Sequence, residues 1–200
     1  MGEMGNVGFA ADFSENQKFV MLASPTEWDD YAQELYDAAL LLWEHREEQV
    51  SSFSHPLKDG LTRKSFMSRT FILLAALSIE NLIKGLLVAQ EPSLVANGEL
   101  GKKLKHHKLK TLFNGVSEIE LTSDEKIFLG MINESITYWG RYPIPLHARH
   151  METELVATNE IYVCYKALFS KLQNKLYLFL KDGWDGPHDM KLTTWRYAAE

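Results

Sequence analysis

The 200-residue chain has a single cysteine, Cys164. No disulfide framework and no cysteine-rich zinc site fits within one such chain. It lacks a phosphate-binding P-loop, a dinucleotide-binding glycine motif and a serine-hydrolase elbow. It has no Glu-x-x-His pair, which removes the paired di-iron signature of helical bundles. His147, His150 and Glu154 have a spacing that allows metal ligation in principle. With no second ligand motif beside them, no metal and no other cofactor is expected.

Long apolar runs are also missing. The longest, Phe71 to Leu77, is too short to span a bilayer and runs on into Glu80, Asn81 and Lys84. The N-terminus has no cationic segment leading into an apolar one, so no signal peptide is expected. These features predict a cytoplasmic protein without a membrane partner. Positive charge is not in excess either. The formal net charge is −6, which argues against broad, non-specific nucleic-acid binding but leaves room for a local phosphate site.

What the chain does have is apolar content, 46% of residues, enough to build a substantial core. Its pattern is helical throughout, with no sustained strand alternation and no internal repeat. Residues 1–23 are Gly-rich at first and weakly patterned, and read as a flexible or loosely docked arm. Ser24-Pro25-Thr26-Glu27 is a strong helix start, with a capping serine, proline in the first turn and glutamate three residues on. The helix it opens is predicted to run to about Val50.

Pro56 to Gly60 punctuates a loop. A second helix over residues 63–90, apolar on nearly every side, should be the central buried one. A short helix over 107–113 turns Leu109, Leu112 and Phe113 inward. Thr122 to Glu125 starts a fourth helix with acidic residues at the positive end of its dipole. A final helix is predicted from about Met151 to Leu180, and Cys164 on it reads as a buried, inert thiol. Residues 182–200 read as an irregular tail packed on the bundle or on a partner. The fold class expected is all-α: an up-and-down bundle of four main helices and one short helix, spanning residues 24–181.

Three polar groupings stand out. Tyr138 to His147 places Arg141 in a Pro-containing loop after a helix ending near Gly140, with His147 downstream. Arginine offers a fixed, planar cation suited to phosphate, and histidine moves protons near neutral pH. Glu80 and Lys84 lie one turn apart on the most apolar helix. They read either as an i,i+4 pair at the bundle surface or as a carboxylate reaching across to hold Arg141. Lys102, Lys103, Lys105, His107 and Lys108 form a basic cluster that Lys110 extends. It reads as a solvated loop or as an electrostatic landing site for RNA, and His107 alternatively as a cap or base for the short helix.

In order and spacing these segments resemble the HEPN superfamily (higher eukaryotes and prokaryotes nucleotide-binding domains). Ser78 to Leu87 is similar to its central helix with Glu and Lys. His107 to Phe113 is similar to its short H-x-L-x-x-L helix, and Tyr138 to Pro143 to its Arg-Tyr-Pro turn. Arg141 and His147, with residues 142–146 between them, fit its loose Arg…His nuclease spacing. Catalytic members usually carry Asn, Asp or His directly after the Arg, where this chain has Tyr142.

The resemblance covers roughly residues 25–180. It implies a helical bundle that often forms a two-fold homodimer and, in catalytic members, cuts RNA without a metal. Arg141 and His147 would be the catalytic pair. Glu80, Lys84 and Tyr142 would support them, and the basic cluster would hold RNA. It also implies partners in toxin–antitoxin or anti-phage defence complexes. The alternative it allows is a non-catalytic module that binds a partner protein or nucleotide.

Overall fold

The computed structural model describes residues 13–46, 50–55, 58–65, 68–137 and 157–193. Among them are six α-helices: α1 (Glu15–Leu22), α2 (Pro25–Glu44), α3 (Ser68–Gln90), α4 (Leu109–Phe113), α5 (Ser123–Thr137) and α6 (Asn159–Leu180). Two short 3-10 turns (Pro92–Val95 and Lys102–Leu104) and two small antiparallel pairs, β1 (Val50–His55) with β2 (Lys58–Ser65) and β3 (Trp184–Asp185) with β4 (Lys191–Leu192), complete the described elements. The protein is a mostly helical bundle, as its sequence predicts.

The central helix is α3. Its apolar side chains cover most of its circumference, so it must be surrounded. Phe71, Ile72, Ala76, Ile79, Leu82, Ile83, Leu86 and Val88 are all buried. By length and composition alone α3 would pass as a membrane-spanning helix, yet 83% of its most apolar window is buried inside this protein. Aromatic rings bind it to its neighbours. Phe71 packs against Trp43 of α2 at 5.4 Å and edge-on to Tyr165 of α6 at 5.9 Å. Tyr165 is fully buried, and its hydroxyl finds a partner in Ser78 of α3 at 2.8 Å. Burial pushes the Tyr165 phenol far above its ordinary range, partly offset by the Ser78 bond, so it stays neutral.

The helix starts follow the expected chemistry. Ser24 caps α2, with Pro25 in the first turn. Thr122 and Glu125 form a reciprocal capping box at α5: the Thr122 N–H donates to Glu125 Oε2 at 2.7 Å, and the Glu125 N–H donates to Thr122 Oγ1 at 3.2 Å. Glu125 also takes a bond from Lys171 of α6 at 2.6 Å. Burial pushes its carboxyl up, but the bonds from Lys171 and Thr122 outweigh that and leave it below the usual 4.5. The stabilisation from this pair is present above about pH 4.5 and fades as pH falls further. In urea titrations, Lys171→Met should be less stable than wild type at neutral pH, with the gap closing under acid. A gap that stays constant down to about pH 3 (an order-of-magnitude endpoint below both states' titration) would contradict this.

Gly85 lets α2 and α3 approach closely. A methyl there would meet Trp28 Cβ at 3.1 Å, Leu176 Cδ2 at 3.3 Å and the Pro25 carbonyl oxygen at 3.4 Å. Two of the three atoms are fixed to the α2 backbone and yield little. Gly85→Ala should therefore lose more to overpacking, about 1–3 kcal/mol, than the roughly 1 kcal/mol it gains in helix propensity. A raised melting temperature in this variant would show that α2 can move away freely.

Several boundaries differ from the sequence reading. The first long helix ends at Glu44 rather than about Val50, and the second begins at Ser68 rather than 63. A hairpin lies between them, pairing Val50 with Ser65 and Ser52 with Arg63. Serines at 51, 52 and 54 compete with helical hydrogen bonding, and Pro56 bars helix continuation. The last helix begins at Asn159, capped by Thr158, not near Met151: residues 157 and 158 are already non-helical, and 151–156 lie outside the described residues.

Residues 13–22 of the arm dock on the bundle through α1. Ser14 and Gln17 cap α1, and Val20 is fully buried in the core. The tail packs on its own bundle, burying Trp184 and Met190, with His188 bonded to the Ala96 carbonyl. Trp195 and Tyr197 lie outside the described residues.

Candidate functional site

The polar heart of the bundle sits midway along α3. Glu80 is 3% exposed and Lys84 is 6% exposed. Lys84 Nζ lies 2.6 Å from Glu80 Oε1 and 5.7 Å above the Trp28 ring of α2, within cation–π range. The Glu–Lys pair predicted from the i,i+4 spacing thus forms, but inside the protein and not at its surface. The third member is His107, which leads into α4. Its Nδ1 lies 3.0 Å and 3.1 Å from the two Glu80 oxygens. Leu109 and Leu112, both fully buried, anchor α4 and thereby hold His107 over α3. Nearly half of the His107 side chain remains open to solvent, 47%. So His107 neither caps α4 nor sits free in the basic cluster. Asn81 is accounted for separately, donating to the Leu77 carbonyl at 2.7 Å.

The basic cluster divides in two. Lys103 is tied to Glu91 at 3.2 Å and Lys105 to Glu99 at 2.5 Å. Such exposed pairs contribute little to stability, but they neutralise the charge a phosphate would seek. Lys102 and Lys108 are exposed and have no acidic partner within 4.0 Å among the described residues. The same holds for Lys110 and for Lys126 of α5. Lys110 and Lys126 share the lining of an open groove of about 720 Å³ between α4, the following loop and α5. Lys126 escapes sequence reasoning because an isolated lysine on the polar face of a helix looks like any solubilising charge.

Arg141, Tyr142 and His147 lie outside the described residues, as do His150 and Glu154. Helix α5 runs antiparallel to α6, with Glu125 beside Lys171, Phe128 near Tyr165, and Met131 sharing a shallow groove with Ile161. Its C-terminal end therefore points toward the start of α6. Helix α3 runs parallel to α6, with Ser78 at Tyr165 and Gly85 at Leu176. Glu80 thus lies on the far side of the Tyr165 level from Thr137, the last described residue of α5. Its carboxylate is already held by Lys84 and His107.

Among the described residues no three His, Cys, Asp or Glu side chains converge as a metal cluster. Cys164 is half-buried rather than fully buried. Burial, helped by the negative charges of Glu125 and Asp124, pushes its thiol up, which disfavours the reactive thiolate. No known family, curated protein or solved structure matches this chain.

Proposed function

We propose that this chain is a HEPN-like endoribonuclease that works without a metal, of the kind used as a toxin or anti-phage effector. One observation carries the reading. The two described segments that resemble the superfamily, Ser78–Leu87 and His107–Phe113, meet through the His107–Glu80 bond in a bundle of the expected class. The buried charges of this junction are paired, Glu80 with Lys84 and with His107, so the cluster fixes the short helix on the central one at little net cost.

In this reading His147 exchanges the protons of the 2′-hydroxyl attack and of the departing 5′-oxygen. Arg141 stabilises the charge that develops on the phosphate. The Glu80–Lys84–His107 cluster, with Tyr142, supports the fold around them, and unpaired lysines hold the RNA backbone. The working form is a two-fold homodimer with Arg141 and His147 near its interface. Light scattering that finds a monomer at tens of micromolar, an order-of-magnitude range for modest affinity, would count against that assembly.

A second reading is a non-catalytic helical module that binds a partner protein or nucleotide. It is favoured by the engagement of Glu80 with Lys84 and His107, which leaves that carboxylate with no need of Arg141. Incubating the purified protein with total RNA in EDTA separates the two. The nuclease reading expects fragments from wild type and intact RNA from an Arg141→Ala/His147→Ala double variant. Intact RNA in both, or equal cleavage in both, overturns it.

A further inference from the structure

The groove between α4 and α5 is built from side chains that match the two chemical faces of a single-stranded nucleic acid. Its lining includes Phe113 and Leu129 on the apolar side, Asn114, and the ammonium groups of Lys110 and Lys126. Phe113 is half-buried, so part of its ring faces the groove. Gly130 on α5 leaves room beside the Lys110 stem: a methyl there would sit 3.3 Å from both Lys110 Cε and Nζ. Lys110, although exposed, thus passes close to the bare backbone of α5.

Local charge favours an anion. Two glutamates near the groove already have lysine partners from α6: Glu118 with Lys175 and Glu125 with Lys171, both at 2.6 Å. Glu120 is the acid on the lining. Against it stand Lys110 and Lys126, neither paired with an acid among the described residues, and exposed Lys108 lies two positions before Lys110.

We infer that this groove is a landing subsite for single-stranded RNA, with phosphates at Lys110 and Lys126 and a base against Phe113. The inference rests on the RNA-directed reading above and moves the binding surface predicted from sequence. Lys103, Lys105 and His107 are engaged with acids of this chain, while Lys126, on a different helix, joins Lys108 and Lys110. Cationic tracking of the backbone combined with an aromatic face is how sequence-tolerant single-strand binding is achieved. A duplex hides its base faces and cannot use Phe113 in this way. An acidic peptide could use the lysines but gains no stacking from that ring.

The test is fluorescence anisotropy of a labelled 2′-O-methyl single-stranded RNA on the full chain, since that probe lacks the attacking hydroxyl and survives. Lys110→Gln/Lys126→Gln should weaken binding about tenfold or more. It should also lower the slope of log affinity against log salt by about 0.7 for each phosphate that is no longer neutralised. Phe113→Leu, which keeps an apolar side chain in place, should weaken binding about fivefold, the lower end of what removing a stacked base costs. Lys103→Gln/Lys105→Gln should bind as wild type. Unchanged melting temperatures would confirm that the exposed lysine variants fold.

Wild-type affinity in the Lys110→Gln/Lys126→Gln variant overturns the subsite, as does equal or tighter binding of a poly-glutamate peptide. The outcome is separable from the nuclease reading. RNA held through these lysines but never cut would keep the subsite and remove the enzyme. RNA cut with no effect of these lysines on binding would do the reverse.

Discussion

Replacing Lys84 with methionine should cost the fold about 3–5 kcal/mol, the range for removing one partner of a buried ion pair. The size follows from where Glu80 sits. Its carboxylate is almost wholly removed from water and takes its shortest contact, 2.6 Å, from Lys84. Methionine fills much of the same volume and can keep its stem against Trp28, so packing changes contribute little. What remains is a buried carboxylate with only His107 to compensate it.

Glu80→Leu combined with Lys84→Met should recover most of the loss, because no uncompensated charge stays inside and His107 can turn to solvent. Urea unfolding of the two single variants and the double variant measures this as a coupling energy. A loss below about 1 kcal/mol in Lys84→Met, the level of an exposed pair, would mean that water reaches the cluster. A double variant worse than either single would mean that the charges are needed for packing itself.

The sequence makes the long elements legible where one signal dominates. Helix α2 begins where Ser24 and Pro25 place it, and α3 is central because its apolar residues leave almost no polar face. The short α4 shows its two buried leucines at the expected positions. The hairpin is hidden in the sequence because residues 50–65 mix serine, lysine and turn residues without alternation. Helix α1 is hidden because it is short and only Val20 on it is buried.

The candidate site is half legible. Spacing alone joins Glu80 to Lys84, because both lie on one helix. It says nothing of His107, 27 residues away, since helical periodicity carries no information about contacts between elements. Nor does it say which lysines of a basic run find acids. Lys103 and Lys105 meet Glu91 and Glu99 only once the loop has folded. Arg141 and His147, the most suggestive pair in the sequence, lie outside the described residues.

The second large effect is expected at Arg141. Arg141→Ala should slow RNA cleavage by a factor of order 10²–10³, the loss seen when a preorganised donor to a developing negative charge is removed. Arg141→Lys should restore only part of it, because an ammonium keeps the charge but not the planar two-pronged donor. RNA binding should change far less than the rate if the proposed subsite at Lys110 and Lys126 holds the backbone elsewhere. Single-turnover cleavage alongside anisotropy with the uncleavable probe separates the two quantities. Equal losses in binding and rate would make Arg141 a binding residue.

The most direct test of metal-free cleavage by Arg141 and His147 is the rate and product chemistry of His147→Ala in EDTA. Attack by the 2′-hydroxyl leaves a 2′,3′-cyclic phosphate and a 5′-hydroxyl, and spares DNA, which has no such group. The wild-type protein should give those ends at a rate unaffected by the chelator. His147→Ala should bind the uncleavable probe normally and produce almost none of them. Wild-type cleavage by His147→Ala, or loss of wild-type cleavage in EDTA, would contradict the mechanism.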